Sequence, residues 1–397
     1  MRTMLPTASL AHISVQRVSG NAAHQVLSKD DFDAAEKEIT AWEGYEPTPL
    51  FSLSKLAQQI GVYKVLYKHE GPRFGLGSFK ALGGAYAALR VLQRQVSQRR
   101  GQGVSIADVR NGIYSDDCAN ITLVSATDGN HGRSLAWGCR RFGSPCRIYI
   151  HAEVSEARAK IMRDYGAEVI RIAGNYDASV ALAKYEAQQN DWFVVSDTSW
   201  EGYIDPPRDV MAGYGVMTRE ICNALPVAPS HVFLQGGVGG MAAGVIAGLV
   251  QHYGADSPRV VIVEPELAAC LFESAQQGTA TTVEIKKETI MAGLSCGEPS
   301  ALAWEILKQE ASDYLTIPDS LVAPTVRLLA RPLIGDPEIQ AGESAVAGLS
   351  ALIAAREDSA LSLSLGLDAA SRVLLIGSEG VTDSEIYQQI LDERIAL

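Results

Sequence analysis

Between residues 121 and 196 the chain alternates short apolar segments with longer amphipathic ones, and this rhythm restricts the fold more than any other feature. Ile121-Thr-Leu-Val-Ser125, Cys146-Arg-Ile-Tyr-Ile150, Glu168-Val-Ile-Arg-Ile172 and Trp192-Phe-Val-Val-Ser196 have the length and β-branched content of strands. Helices are expected between them, over 132–142, 155–165 (ended by Gly166) and 176–189. Strands joined through helices do not form hairpins; they lie side by side in a parallel sheet. The repeat breaks at Asp205-Pro-Pro207 and a second series begins. It reads as a helix over 210–225, the strand His231-Val-Phe-Leu-Gln235, a helix over 241–253 and the strand Arg259-Val-Val-Ile-Val263. A helix over 341–356 and the strand Arg372-Val-Leu-Leu-Ile376 come last.

Upstream, 30–42 has helix-forming composition and 43–53, with Pro47 and Pro49, reads as extended. A short helix over 54–60 is closed by Gly61, 62–68 alternates as a strand, and a helix carrying Lys80 near its start runs to about residue 98. The expectation is two open parallel-sheet α/β domains. The smaller takes 87–206 and the larger takes 1–86 with 207–397, and 397 residues suffice for two such cores. Residues 1–45 read as a peripheral arm and 99–119 as a surface connection.

Composition removes several function classes. The net charge of −12 and the lack of a basic stripe argue against a nucleic-acid or anionic-membrane partner. No apolar stretch is long enough to span a bilayer, and the N-terminus lacks the apolar core of a signal peptide. The six cysteines form no Cys-x-x-Cys pair and the seven histidines no His-x-x-x-His pair. A cytoplasmic protein without a metal site is the expectation.

Five stretches carry chemistry. In Gly75-Leu-Gly-Ser-Phe-Lys80-Ala-Leu-Gly-Gly-Ala85-Tyr, a lysine sits among small and apolar neighbours. A lysine buried there has its neutral form favoured, and a neutral amine attacks carbonyl carbon. Gly83 and Gly84 leave room for a planar ring or a close backbone; a surface lysine at a helix start is the competing reading. Gln235-Gly-Gly-Val-Gly-Gly-Met-Ala-Ala-Gly244 joins a strand to a helix. Its five glycines between 236 and 244 exceed what a turn needs, so Gly236, Gly237, Val238, Gly239 and Gly240 are candidates for holding a phosphate. The same run fits a dinucleotide fingerprint ending in alanine, with Glu264 placed as the ribose acid. In Ser125-Ala-Thr-Asp-Gly-Asn-His-Gly132, a strand end opens a helix, a setting for a bound carboxylate, and Ser125, Thr127 and His131 are the candidates to hold it. Asp128 in that anion site is either a helix cap or an acid with a purpose. Asp197 in Asp197-Thr-Ser-Trp-Glu-Gly-Tyr203 and Ser378 in Ile376-Gly-Ser-Glu-Gly380 also follow strands, where ligands bind; each is a functional group or a turn cap.

Lysine, Asn-His loop, glycine-rich turn and late serine, in this order, resemble the fold type II pyridoxal-phosphate enzymes, the tryptophan synthase β-like group. The resemblance covers about residues 40–385. It implies a cofactor in an interdomain cleft, with Lys80 as its Schiff-base lysine, Asn130 beside the ring hydroxyl, Gly236 to Gly240 around the phosphate and Ser378 at the ring nitrogen. Asp128-Gly-Asn-His-Gly132, Asp197 to Tyr203, Thr289-Ile-Met-Ala-Gly-Leu-Ser-Cys-Gly-Glu-Pro299, Arg73-Phe-Gly-Leu and Ala341-Gly-Glu-Ser344 are similar to the diaminopropionate ammonia-lyases of that group. What this implies is pyridoxal-phosphate-dependent α,β-elimination of D- or L-2,3-diaminopropionate to pyruvate and two ammonia by a homodimer. Lys80 and Asp128 would serve opposite faces of Cα, and Asp128 and Asp197 would favour the substrate's β-ammonium. A serine/threonine dehydratase or racemase of the same fold needs no such pair of acids. A nicotinamide-dependent oxidoreductase would use the glycine turn and Glu264 and leave Lys80 without a role.

Overall fold

Seven strands assemble into one sheet and four into another. The computed structural model describes residues 4–18, 20–127 and 129–394. The chain divides into two compact units. The first takes residues up to Lys29, Pro47–Ser78 and Met217 onward; the second takes Asp30–Glu46 and Phe79–Val216. The sequence-based division is at 86/87 and 206/207, with 30–46 in the larger part.

The seven-stranded sheet belongs to the first unit. In chain order its strands are β1 (His12–Ser14), β2 (Leu50–Ser52), β3 (Lys64–His69), β8 (His231–Gln235), β9 (Arg259–Pro265), β10 (Asp313–Ile317) and β11 (Arg372–Gly377). Their spatial order is β1-β10-β9-β8-β11-β3-β2. The five inner strands run parallel, and β1 and β2 close the edges antiparallel. The inner strands are apolar without alternation because helices cover both faces: every residue of β8 is buried, and Val373, Leu375, Val261 and Val263 join the helix 347–357 side chains in one core.

The second unit holds β4 (Leu123–Ala126), β5 (Cys146–Ile150), β6 (Glu168–Arg171) and β7 (Phe193–Val194), all parallel, in the order β6-β5-β4-β7. Helix Glu156–Asp164 is capped by the Ser155 hydroxyl, and helix Tyr176–Asn190 by Asn175. Among the described residues no helix is long and apolar enough to cross a membrane.

Several expectations are corrected. Residues 12–14 are not part of an arm: they are an edge strand of the large sheet, fastened by His12 and Ser14 to buried Asp313 at 2.9 and 2.8 Å. Three residues carry no readable period. The 99–119 connection holds two short helices, Ile106–Arg110 and Ser115–Cys118, and buries Val109 and Cys118. Pro206 and Pro207 do not interrupt structure; they lie in the first turn of helix Asp205–Ala224, where a missing N–H costs little. The helix expected from 341 begins at Ala347, because Ser344 is drawn into tertiary bonds instead. Its N–H donates to Glu379 at 3.2 Å and its hydroxyl accepts from the Gly293 N–H at 3.1 Å.

The first unit also buries a charge cluster that no sequence period announces. Arg73 donates to Glu70 at 2.8 and 2.9 Å and to both oxygens of Glu220 at 2.7 and 2.8 Å. Lys68 donates to Glu220 at 2.5 Å and to the Thr48 carbonyl at 2.7 Å. Two cations meet two carboxylates, and Lys68 and Arg73 are each 1% exposed. The cluster pins the turn Arg73–Gly75, in which Phe74 has φ of +51°. Lys68, not Lys80, is thus the most deeply buried lysine of the two, and it is held as half of an ion pair. Removing one member strands a buried charge. Glu220→Ala should lower stability by about 3–5 kcal/mol, read as an earlier urea midpoint; an unchanged midpoint would show the cluster to be energetically idle.

Candidate active site

In the second unit β4 and β7 are parallel neighbours, Leu123 beside Phe193, so their carboxyl ends leave the same edge. From β4 the chain turns through Thr127, whose hydroxyl oxygen accepts the Gly129 and Gly132 N–H groups at 3.2 and 3.3 Å and starts helix Asn130–Phe142. From β7 it passes Val195 and reaches Asp197. His131, 4% exposed, spans the two ends: its Nε2 lies 2.9 Å from the Val195 carbonyl oxygen. Asp128 lies outside the described residues.

Lys80 is the first residue of helix Lys80–Arg100, and its Nζ donates to Asp197 Oδ2. The two side chains are 20% and 15% exposed. The same Oδ2 lies 3.9 Å from His131 Nδ1. Burial opposes ionisation of Asp197, but the Lys80 ammonium, aided by His131, overcomes it and holds the carboxyl well below the usual range. Burial lowers His131, with Asp197 pulling the other way and Lys80 adding to the depression.

The small residues after Lys80 serve close packing. The Ala85 N–H donates to the Ser134 hydroxyl at 3.0 Å, and a Cβ on Gly138 would stand 2.8 Å from Ala85 Cα. A Cβ on Gly83 would stand 2.5 Å from the Tyr214 ring. Tyr214 is 1% exposed, meets Phe79 edge-on at 4.7 Å, and its hydroxyl has no hydrogen-bond partner among the described residues. Of the two expected uses of the glycines, close approach is what they provide, and the ring lying over Gly83 is the protein's own. Sequence reading missed Tyr214, which no motif marks.

In the first unit β8 and β11 are parallel neighbours. Gln235, ending β8, donates to the carbonyls of Ile376 and Ala345 at 2.6 and 3.1 Å, tying the two strand ends together. Gly236 to Gly240 follow, with Gly237 at φ +59° and Gly239 at φ +92°, and open the 14-residue helix Gly240–Tyr253. First-turn amides of a helix have no partner within it, and the helix dipole adds positive character. A Cβ on Gly239 would stand 2.8 Å from Leu307 Cδ1, and the Ser300 N–H donates to the Val238 carbonyl at 2.9 Å. Ser378, 4% exposed, leaves the end of β11.

Glu264 does not face a ribose. It is fully buried, accepts the Leu271 and Phe272 N–H groups at 3.0 and 2.7 Å, and caps helix Cys270–Gln277 beneath Gly236. Burial pushes its carboxyl up to about 8 against those two donors. The dinucleotide reading loses its acid. Of the expected carboxylate ligands, Thr127 and His131 spend their described bonds on the protein itself. Among the described residues Ser125, fully buried, reaches only the Ala126 carbonyl, at 3.5 Å.

The fold, with a parallel sheet in each unit, is that of the fold type II pyridoxal-phosphate-dependent enzymes. Residues 41–376 match the family model described as pyridoxal-phosphate dependent enzyme, and the chain belongs to that family. It is 39% identical over 356 residues to the diaminopropionate ammonia-lyase of Escherichia coli (strain K12), covering 88% of each chain. It is 35% identical to the enzyme of that name from Salmonella typhimurium, over 94% of this chain and 93% of the relative. The crystal structure of the Escherichia coli enzyme in complex with D-serine superposes with a TM-score of 0.89 at 36% identity, covering 98% of each chain. The cofactor is pyridoxal phosphate, and the residues present fit it: the Gly236–Gly240 turn opens a helix whose first-turn amides have no partner within it, and Lys80 is a primary amine half-buried on an acid.

Gly239→Val puts a branched side chain at φ +92° and against Leu307. Cofactor affinity, followed by equilibrium dialysis, should fall at least tenfold while the circular dichroism spectrum persists. Unchanged affinity would reduce the turn to a plain connection.

Proposed function

We propose that this protein removes both amino groups of 2,3-diaminopropionate, the β-amine by elimination and the α-amine by hydrolysis with one water, giving pyruvate and two ammonia. The observation that carries the reading is the Lys80–Asp197 pair, in a chain alike over most of its length to diaminopropionate ammonia-lyases. The bound cofactor supplies the electron sink that makes the Cα proton removable. The residues do the rest. Lys80 carries the cofactor and, once free, accepts the Cα proton of the L-isomer. Asp128, by its place in Asp128-Gly-Asn-His131, accepts that of the D-isomer from the other face. Asn130 and Ser378 orient the ring, and the amides of Gly236 to Gly240 hold the phosphate. Asp197 favours the β-ammonium; a carboxylate in this half-buried setting suits a cationic leaving group over a neutral hydroxyl.

A side reaction on D-serine has its own support, since the Escherichia coli enzyme has been crystallised with D-serine and more distant relatives, 24–25% identical, are named probable D-serine dehydratases. The cytoplasm and a homodimer complete the proposal. None of the six cysteines is in a disulfide among the described residues.

Borohydride reduction of the holoenzyme followed by peptide mapping should place the pyridoxyl label on Lys80; a label on Lys68 or elsewhere would overturn the assignment. Asp128→Asn should cut kcat/KM for D-diaminopropionate about a hundredfold, roughly 3 kcal/mol, and spare the L-isomer. Asp197→Asn should lower both isomers by a similar factor while leaving D-serine turnover nearly unchanged. Equal loss of both isomers in Asp128→Asn would refute the two-face division.

A further inference from the structure

Asp197 Oδ2 faces two nitrogen bases, Lys80 Nζ and His131 Nδ1, the latter at 3.9 Å. The state of His131 follows from its other nitrogen. Nε2 lies 2.9 Å from the Val195 carbonyl oxygen, which only accepts, so Nε2 carries the hydrogen. In the neutral imidazole Nδ1 is then a bare lone pair. That atom is buried without a hydrogen-bond partner among the described residues. A lone pair beside a carboxylate oxygen is a poor neighbour, and a proton on it would turn the contact into an ion pair. Burial withholds that proton, and the cation already on that oxygen, Lys80, adds to the effect.

We propose that Lys80 and His131 are alternative cationic partners of Asp197: whenever the Lys80 amine is neutral, His131 carries a proton on Nδ1 and holds the carboxylate in its place. In the exchange one N–H bond of the Lys80 ammonium breaks and its electron pair stays on Nζ. The proton bonds to the Nδ1 lone pair, and Asp197 remains ionised. The three groups keep the same net charge, and no oxidant or reductant is involved. His131 is thus a positioning residue. It lets Lys80 become a nucleophile or base without leaving Asp197 an unpaired buried anion, which would resist the change. Among the described residues, Lys80 and Asp197 are the charges that act on the ring. Tyr214 faces the same two charges, but burial holds its hydroxyl in the neutral form. The proposal rests on Lys80 being the amine that changes charge, and not on the identity of the substrate.

The test is ¹⁵N NMR of the histidine side chains in the full chain, freed of cofactor, with His131 assigned from the spectrum of His131→Gln. Wild type at pH 8 should show the Nε2–H tautomer. In Lys80→Met, and independently in Lys80→Gln, the titration midpoint of His131 should rise by about one to three pH units, the shift a nearby charge produces. Adding Asp197→Asn to either should abolish the rise. A midpoint that stays or falls in the lysine variants, a rise that survives loss of Asp197, or an Nδ1–H tautomer in wild type would each overturn the proposal. A borohydride label on another lysine would remove Lys80 from the cofactor and leave this titration unaffected, so the two readings fail separately.

Discussion

Parallel pairing is the constraint from which the candidate site follows. A parallel strand must return through a helix to the same starting edge, so consecutive strands deliver their carboxyl ends together. In the first unit this places the turn after β8 beside the residue after β11, with Gln235 bonding the two ends. In the second it places Thr127 to His131 beside Val195 to Asp197, with the His131–Val195 bond doing the same. No two of these groups are close in sequence. They meet because the pairing leaves them nowhere else to go.

The two charged clusters show what that edge is used for. Around Arg73 each unit charge has its opposite, six hydrogen bonds close the group, and exposure is nearly nil. Such a cluster specifies one arrangement and resists change. Around Asp197 a single carboxylate oxygen serves a lysine and lies near a histidine, and Tyr214 and His131 keep polar atoms without a hydrogen-bond partner among the described residues. Unpaired buried groups cost free energy, and natural proteins retain them chiefly where chemistry requires it. The first cluster is built to stay, the second to exchange partners.

What the sequence disclosed followed the same division. Strands buried on both faces wrote themselves as apolar runs, so β4, β5, β8, β9 and β11 were legible, and the glycine-dense run after β8 was legible as the turn that opens a helix. Segments whose place depends on distant partners were not legible. β1 is three residues long and is fixed by Asp313, some 300 positions away. Glu220 lies on a helix face with nothing local to mark it, yet it neutralises Lys68 and Arg73. Glu264 looked like a ribose acid because it ends a strand after a glycine turn. Only the N–H groups of Leu271 and Phe272 show that its carboxylate is spent inside.

Lys80 joins these observations. Sequence suggested that its amine would be made reactive by apolar surroundings, a desolvation argument. The structure gives it a carboxylate instead, which by itself favours the ammonium and works against nucleophilicity. The two views are reconciled if the proton has a second seat. A lysine in a dry pocket would be neutral always and would lose its charge-based hold on the site. A lysine on an acid with no other base nearby would be charged always. Placing His131 Nδ1 at 3.9 Å from the same oxygen allows either state at constant net charge. The close helix contacts at Gly84, Ala85 and Ser134 then acquire a purpose. They fix the start of one helix, with Lys80, against the start of another, with His131, so that both nitrogens bear on one oxygen. A larger side chain at Gly84 would push Ser134 away and separate those two starts, and with them the two seats of the proton.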